Sequence, residues 1–400
     1  MNSERSAMPG RIPRRGVLAL LAAVPAGIVT ACKPKSSASG PRPTSAATSP
    51  TPSPTPTPTA RPKPAGVTVA TKGLSGSLAD FAKALYGGHQ IATSPAVAAL
   101  KKRRRPKASR MTVTGSRGEW HGTPVAILSQ GHDLTFAVYR KGKWTAVAGW
   151  WPDLGVDGVS AGDKQFVLIM GSDARTSEGQ SITRSRADTL QVIGVDGSGS
   201  AGVVGVPRDT WTDIGKINSA MVYGGPSNQV KAIASLTGLP IKHYVLTGFH
   251  GFRSFVHEIG GVTVTNPHAM PSRGIPKGRI HLGSNKALWF ARERHSLPDG
   301  DFGRSADQQR LLMAFGQAMK RLGPTRFGKL VSTVSKVTTT DLPAENALQY
   351  AAWAWSIKPS KVGRVVATGG FGTRDGQSVV LLGSHAKRIF REFASGRLRT

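Results

Sequence analysis

The strongest constraint on the fold is the alternation of short apolar runs with helical segments from about residue 163 onward. Residues 166–170 form a continuous apolar run, which is typical of a buried strand. Helical segments that start near serine and end at glycine follow it. Further strands are predicted at 190–195, 203–206, 244–246, 262–265, 362–368 and 379–382, and helices at 227–237, 249–259 and 284–291. This alternation predicts an α/β fold, an α-β-α sandwich around a central mixed sheet.

A different pattern precedes this region. Between residues 67 and 155, short alternating runs are separated by glycine-rich turns, which indicates a β-meander after one helix at 78–86. A small accessory domain, mainly β, is therefore predicted at 67–155. Trp144, Trp150 and Trp151 could present a carbohydrate-binding face, but packing into the core of this domain is the favoured interpretation. The basic run 101–107 is interpreted as a solvated loop.

The first 66 residues have the composition of an export signal and a linker. Residues 1–32 carry a basic head, a short apolar stretch and the ending Val-Thr-Ala-Cys, which resembles a bacterial lipobox with Cys32 as the lipidated residue. An uncleaved signal anchor is the alternative. Residues 33–66 are rich in Pro, Thr and Ser and are predicted to be an extended linker. Both alternatives place the protein at the outer face of the cytoplasmic membrane.

Charge narrows the choice of partner. The net charge of +31 predicts a polyanionic partner, and nucleic acid, anionic lipid head groups and phosphate-bearing glycopolymers all qualify. The export signal and the lack of a helix-turn-helix pattern argue against nucleic acid. The single cysteine, Cys32, excludes an internal disulfide and a cysteine-rich zinc site.

The candidate chemistry lies where the predicted strands end. Asp173 follows the first strand, Asp188 opens the second and Arg208 closes the third, so these side chains are expected to meet at one edge of the sheet. Two carboxylates there could bind a hard divalent cation such as Mg²⁺. Arginine offers a planar fork of donors that matches phosphate oxygens. Five arginines stand in such polar contexts, namely Arg186, Arg208, Arg292, Arg294 and Arg304.

Gln308 allows two interpretations. The run Ser305-Ala-Asp-Gln308 has the pattern of a capping box, in which Gln308 would satisfy the start of its own helix. Gln308 also stands four residues after Arg304, and an apolar stripe that includes Leu312 and Phe315 continues along the helix. A polar head followed by an apolar stripe suits a lipid phosphate and its tail, although such a stripe more often packs on a sheet.

Residues from about 163 to 395 resemble the LytR–CpsA–Psr family of cell-wall ligases. The resemblance rests on ten short motifs in family order, and it gives a catalytic domain at 160–395. The motifs are Gly171-Ser-Asp173-Ala-Arg175, Arg186-Ala-Asp188-Thr189, Val206-Pro-Arg208-Asp209-Thr210, Lys216-Ile-Asn218, Tyr223-Gly224-Gly225, Tyr244, Gly260-Gly261-Val262, Ala291-Arg292-Glu-Arg294, Asp301-Phe-Gly-Arg304 and Gln308-Gln309.

The resemblance implies an extracytoplasmic phosphotransferase that moves an anionic glycopolymer from a polyprenyl-pyrophosphate carrier to peptidoglycan and forms a phosphodiester. It implies that Asp173 and Asp188 hold Mg²⁺ or Mn²⁺, that the five arginines grip the pyrophosphate and that Gln308 supports them. Asp188 is the candidate base. The lipid tail would occupy an apolar pocket, for which the candidates are Phe249, Phe252, Phe255, Val256, Leu312 and Phe315.

Two other function classes stay open. One is a catalytically silent lipoprotein of the cell envelope that binds polyanions or polyprenyl phosphate, against which the complete arginine set argues. The other is a DNA-binding regulator, which only the charge suggests. The polymer is left open between arabinogalactan and a teichoic-type chain.

Overall fold

A computed structural model describes residues 67–88, 94–101, 110–153, 155–159, 164–196 and 200–397. All of them belong to one compact unit, Pro62–Thr400. The predicted export signal at 1–32 with Cys32, the linker at 33–66 and most of the basic run 101–107 lie outside the described residues.

From Ala220 onward the described strands are interspersed with α-helices, as the sequence predicts, whereas Arg110–Lys216 contains ten successive described strands. The strands are β1 Thr68–Lys72, β2 Arg110–Trp120, β3 Thr123–Gln130, β4 Asp133–Arg140, β5 Lys143–Trp151, β6 Val156–Val159, β7 Gln165–Ser172, β8 Ala187–Val195, β9 Ala201–Gly205, β10 Trp211–Thr212, β11 Gly215–Lys216, β12 His243–Thr247, β13 Val262–Asn266, β14 Gly278–Leu282, β15 Thr339–Thr340, β16 Val362–Val366, β17 Gly369–Arg374 and β18 Gln377–Leu382. The helices are α1 Gly76–Gly87, α2 Pro95–Lys101, α3 Ala220–Thr237, α4 Phe249–Glu258, α5 Ser284–Arg292, α6 Gly300–Leu322, α7 Pro324–Val337, α8 Ala344–Ser356 and α9 Ser384–Ala394.

The central sheet is mixed, in agreement with the predicted fold class. Its order among the described strands is β15-β12-β7-β8-β9-β16, with β12 parallel to β7, β9 parallel to β16 and the other pairs antiparallel. One face packs against α3 and α9 through Leu168, Ile233 and Phe390. The other face packs against α7 and α8 through Val167, Phe327 and Leu348. This arrangement is an α-β-α sandwich.

Two strands that the sequence predicts lie outside the central sheet. The predicted run 262–265 becomes β13, which pairs antiparallel with β14. The run 379–382 becomes part of β18, which pairs antiparallel with β17. Both segments have the right apolar content for a strand, but each finds its hydrogen-bond partner in an adjacent hairpin strand.

The predicted β-meander is a six-stranded sheet of order β1-β2-β3-β4-β5-β6, in which only β1 and β2 run parallel. The helix predicted at 78–86 is α1, and α2 is an addition that the sequence patterns do not indicate. Trp144 and Trp151 are buried in the cluster that α1 and α2 form with this sheet. Trp150 packs partly buried on the opposite face, so the core interpretation of the three tryptophans holds.

Helix α7 joins this sheet to the central sandwich. Glu119 at the end of β2 and His121 just after it donate their backbone N–H groups to the hydroxyls of Ser332 and Ser335, at 3.0 and 2.8 Å. Gly328 lies so close to β2 that an added Cβ would stand 2.1 Å from the carbonyl oxygen of Arg117. The two sheets therefore share α7 as a common layer.

Among the described residues, no helix combines the length and the apolar character of a membrane span.

Candidate active site

Three strand ends meet at one edge of the central sheet, as the sequence predicts. In the antiparallel register Ser172 of β7 lies opposite Ala187 of β8, and Gly205 of β9 lies opposite Gln191 of β8. Beyond these ends, the Asp173 carboxylate accepts the backbone N–H of Arg186 at 2.9 Å, and Asp173 donates its own N–H to the Arg186 carbonyl at 3.0 Å. The fold thus brings two separate motifs together through backbone hydrogen bonds.

Arg208 is the centre of an ion-pair network at this edge. Its guanidinium pairs with Asp188, and its Nε lies 3.7 Å from Asp209. Burial alone would lower the pKa of Arg208, but the hydrogen bond and charge of Asp188 and the charge of Asp209 raise it. Asn218 Nδ2 also donates to Asp188, at 3.4 Å. Arg208 and Asp188 are therefore held in a fixed relative position.

Asp209 is a member of the site to which the sequence interpretation assigned no role. Besides Arg208, its carboxylate contacts Lys216 at 3.1 Å and Arg294 at 3.8 Å. A single carboxylate thus orders cations from three chain segments. The adjacency of Asp209 to Arg208 in a family motif is the only sequence signal for it.

Arg304 is the most enclosed of the five arginines. Its side chain is 5% exposed and pairs with Asp301, one turn earlier on α6. Burial lowers the pKa of Arg304 and raises the pKa of Asp301. Asp301 keeps the guanidinium oriented. The dry surroundings strengthen the attraction of the guanidinium for an anion that enters the site, although the charge of Asp301 offsets part of that attraction.

Arg292 and Arg294 flank a residue that shapes their loop. Helix α5 ends at Arg292, and Glu293 Oε1 accepts the backbone N–H groups of Arg294, His295 and Ser296 at 2.9, 2.8 and 3.2 Å. Burial would raise the pKa of Glu293, but these three donors lower it. Arg292 is exposed and stacks 4.3 Å from the ring centroid of Phe249. Glu293 is thus a positioning residue that sequence reasoning missed.

The capping-box interpretation of Gln308 is wrong, because α6 begins at Gly300 and Ser305 lies inside it. Gln308 Nε2 donates instead to the carbonyl of Ala291 at 3.1 Å and to that of Asp188 at 3.4 Å. Its Oε1 accepts from Gln191 at 3.2 Å. Gln308 therefore ties α6 to α5 and to the strand that carries Asp188.

A cavity of about 400 Å³ opens at this edge. Its polar mouth is lined by Ser172, Asp188, Arg208, Arg292, Arg294, His295, Arg304 and Gln308. Its interior is apolar, and five of the six residues proposed for the lipid tail line it, namely Phe249, Phe252, Phe255, Leu312 and Phe315.

Three predicted site residues do not line the cavity. Val256 is fully buried in the cluster that α4 forms with α5 and α6. It follows Phe255 by one residue, so the helix turns its side chain away from the cavity wall. Arg186 is exposed and Asp173 is half-buried, and both stand beside the mouth rather than in its wall.

The residues present fit a divalent cation with few protein ligands. Burial raises the pKa of Asp173, and the nearby negative charge of Asp188 raises it further, so a cation between the two carboxylates would relieve repulsion. Among the described residues no group of three or more His, Cys, Asp or Glu side chains is arranged to hold a metal. Magnesium commonly takes one or two carboxylates and fills its other positions with water and phosphate oxygens.

Comparison with known proteins shows a match to one family over much of the chain. A sequence profile of the LytR_cpsA_psr family matches residues 134–390, which is more than half of the chain. The polyisoprenyl-teichoic acid–peptidoglycan teichoic acid transferase TagU of Bacillus cereus is 32% identical over 196 residues, which cover 46% of this chain and 62% of the relative. TagU of Bacillus subtilis is 31% identical over 194 residues. The chain thus spans less than two thirds of the length of these relatives.

Solved structures share the fold. The crystal structure of TagV from B. subtilis superposes with a TM-score of 0.50 at 23% identity, covering 60% of this chain and 99% of TagV. Protein gbs0355 from Streptococcus agalactiae superposes with a TM-score of 0.51 at 18% identity, covering 60% of this chain and 89% of that protein.

Proposed function

Because this chain belongs to the LytR_cpsA_psr family, we propose that it is an extracytoplasmic phosphotransferase. It moves an anionic glycopolymer from a polyprenyl-pyrophosphate carrier to peptidoglycan and forms a phosphodiester. The names of the TagU relatives make a teichoic-type chain the first polymer to test.

The observation that carries this proposal is the two-part cavity. Four of the five arginines stand at its mouth, and phenylalanines line its interior. A pyrophosphate needs several charge-assisted donors, whereas a polyprenyl tail needs a dry apolar channel. An amphiphile with both parts therefore fits this site better than a soluble nucleotide or a bare polyanion.

The proposed reaction is transfer at the phosphorus that carries the glycopolymer. A hydroxyl oxygen of the acceptor sugar forms a bond to this phosphorus, the bridging P–O bond of the pyrophosphate breaks, and polyprenyl phosphate leaves. Arg208, Arg294 and Arg304 would stabilise the charge that develops on the phosphate oxygens. Asp188, the carboxylate at the mouth, is the candidate acceptor of the hydroxyl proton. Arg186, beside the mouth, and Arg292 would hold further oxygens of the pyrophosphate.

Asp173 and Asp188 would hold Mg²⁺ or Mn²⁺, which when bound supplies positive charge for the pyrophosphate oxygens. Gln308 supports the site indirectly, because its hydrogen bonds fix the carbonyl of Asp188. The membrane anchor would be a lipid on Cys32, which would place the cavity at the outer face of the cytoplasmic membrane.

Transfer by the purified chain tests the proposal. A synthetic polyprenyl-pyrophosphate glycan and a peptidoglycan oligomer are supplied with Mg²⁺ or with a chelator, and the phosphodiester product is measured. Arg208→Ala should lower kcat/KM roughly 10- to 100-fold, because a charge-assisted hydrogen bond to phosphate contributes about 1.5–3 kcal/mol. Arg321→Ala, an exposed arginine near the far end of α6, is the matched control and should match wild type.

A product that forms only with the metal and is lost in Arg208→Ala supports the phosphotransferase. Glycolipid that binds equally to both proteins but is never transferred contradicts it, and leaves a silent polyprenyl-phosphate-binding lipoprotein as the better description.

A further inference from the structure

The exposed apolar side chains of this protein are not scattered. In the described part of the chain, large hydrophobic residues with high exposure come from three separate regions, and each region includes or closely follows a residue that belongs to the site or contacts it. Single exposed hydrophobic residues are ordinary on a soluble protein, but a group at one site indicates an interaction surface. These residues are Ile214 (48% exposed), Val222 (37%), Tyr223 (74%), Trp289 (39%) and Phe371 (64%).

Ile214 and Phe371 stand on two adjoining hairpins. Ile214 lies at the turn of the β10–β11 hairpin, whose Lys216 pairs with Asp209 of the site. The β17–β18 hairpin joins it through the backbone N–H of Val380, which donates to the Asp209 carbonyl at 2.9 Å. Phe371 contacts Phe302, the neighbour of Asp301, with ring centroids 5.2 Å apart.

Val222 and Tyr223 project from a turn at the start of α3. The helix is broken there by Gly225, with φ 72° and ψ −170°, and by Pro226 after it. Arg184 fixes the turn by donating to the Tyr223 carbonyl at 3.0 Å. The turn follows Asn218, which donates to Asp188, by only a few residues.

Trp289 stands on the last turn of α5, three residues before Arg292. Arg273 lies over its ring at 5.6 Å from the centroid, so this indole is held beside a cation. With Arg292 exposed on the same helix, α5 presents a tryptophan and an arginine next to the cavity mouth.

The charges around these side chains are mainly positive. Arg184, Arg273, Arg292 and Arg374 are exposed among them and Lys216 is half-buried, whereas the hairpin tips add the acidic Asp213 and Asp375. Aromatic and aliphatic side chains interleaved with Lys and Arg have the composition of a surface that lies in an anionic membrane interface.

We propose that Ile214, Val222, Tyr223, Trp289 and Phe371 form a membrane-contact collar that seats the cavity mouth on an anionic bilayer. The proposal rests on the proposed function, in that the substrate carries a lipid tail. Every methylene of such a tail resists transfer into water, so the tail must pass from bilayer to cavity without leaving an apolar environment. Aliphatic Ile214 and Val222 favour lipid over a glycan partner, because sugars stack on aromatic faces.

Fluorescent labels placed on the full chain test the orientation directly. In a Cys32→Ser background, an environment-sensitive dye is attached at Phe371→Cys, at Tyr223→Cys or at Lys361→Cys. Lys361 is the matched control, because it precedes β16 at the end of the central sheet opposite the site. When phosphatidylglycerol vesicles are added, the fluorescence emission of the dyes at positions 371 and 223 should shift to shorter wavelength. The emission of the dye at position 361 should not shift.

If the dyes at positions 371 and 223 respond to vesicles no more than the dye at position 361, the proposed membrane-contact collar is wrong. A response to soluble peptidoglycan fragments in place of vesicles overturns it too, and assigns the surface to glycan.

A kinetic measurement separates the collar from the catalytic proposal. Phe371→Ser combined with Tyr223→Ser should lower transfer from a long-chain substrate in phosphatidylglycerol vesicles about tenfold. Transfer from a short-chain, water-soluble analogue should stay unchanged, since that substrate needs no bilayer. An equal loss with both substrates contradicts the collar. A wild-type chain that transfers neither substrate contradicts the proposed function, while the dye shifts still decide the surface.

Discussion

At the scale of single residues, Asp307 is an unusually buried carboxyl group. Its side chain is 1% exposed, one oxygen pairs with Arg310 at 2.6 Å, and the other is buried without a hydrogen-bond partner among the described residues. Burial raises the pKa of Asp307 to about 6, although the charges of Arg310 and His268 lower it in part. The native state therefore binds a proton that the unfolded chain would release.

Asp307→Asn should remove this pH dependence of stability. A raised carboxyl pKa contributes stability below the unfolded value of about 3.9, and that contribution is lost as pH rises through about 6. From pH 4 to pH 7 the unfolding free energy of the variant should therefore rise by about 2–3 kcal/mol relative to wild type. Urea unfolding at both pH values measures the difference. The exposed Asp80→Asn serves as control, and a flat difference for Asp307→Asn would contradict the assignment.

Sequence alone could locate the residues that stand at strand ends. The expectation that Asp173, Asp188 and Arg208 meet follows from the alternating direction of consecutive strands, and the structure confirms the meeting. The sequence could not reveal the contact of Asp209 with Arg294, because that pair depends on how the α5–α6 loop folds over the sheet edge. Glu293 was missed for the same reason, since its partners are backbone groups that only the folded loop presents.

At the scale of elements, α7 and β2 pack at glycine-to-backbone distance. Gly328→Ala should lower the unfolding free energy by about 1–3 kcal/mol, because its Cβ has a backbone carbonyl 2.1 Å away and neither element can yield alone. Thermal unfolding measures the loss. Gly316→Ala, a glycine of α6 with nothing within 4 Å of the added Cβ, should instead be neutral or stabilise by about 0.5–1 kcal/mol. Equal effects of the two changes would contradict this packing argument.

The sequence predicted which segments form strands and helices better than it predicted which strands pair or where a helix begins. Apolar periodicity identified the strands at 262–265 and 379–382, but it holds no information on pairing, and both became hairpin strands outside the central sheet. The capping-box interpretation, with Ser305 as the N-cap, would start α6 six residues too late. Its first turn contains two glycines and the acidic Asp301, a composition that resembles a loop, but the Arg304–Asp301 pair stabilises that turn within the site.

At the scale of the whole molecule, the two large sheets share a hydrophobic cluster. Phe136 of the first sheet meets Phe327 of α7 with ring centroids 5.4 Å apart, and Trp120 donates its indole N–H to the Leu342 carbonyl at 2.8 Å. The domain boundary expected near residue 155 from the end of the β-meander pattern is therefore crossed by buried contacts, which no local pattern could have indicated.

One cooperative unfolding transition is expected for Pro62–Thr400. Calorimetry should give equal calorimetric and van't Hoff enthalpies, because separating the sheets would expose their common cluster to water. Two resolved transitions would show that the sheets unfold independently.

Helix α7 has a further consequence for how such a chain can change over time. One of its faces carries Gly328, Ser332 and Ser335 against β2, and another carries Val334 and Val337 into the cavity wall. A substitution on α7 that changes the shape of the cavity must also preserve the fit to a strand that precedes the family-matched region. The first sheet and the family-matched region should therefore be inherited together. Exchanging the family-matched region alone between relatives would leave α7 without the edge of β2 against which it packs.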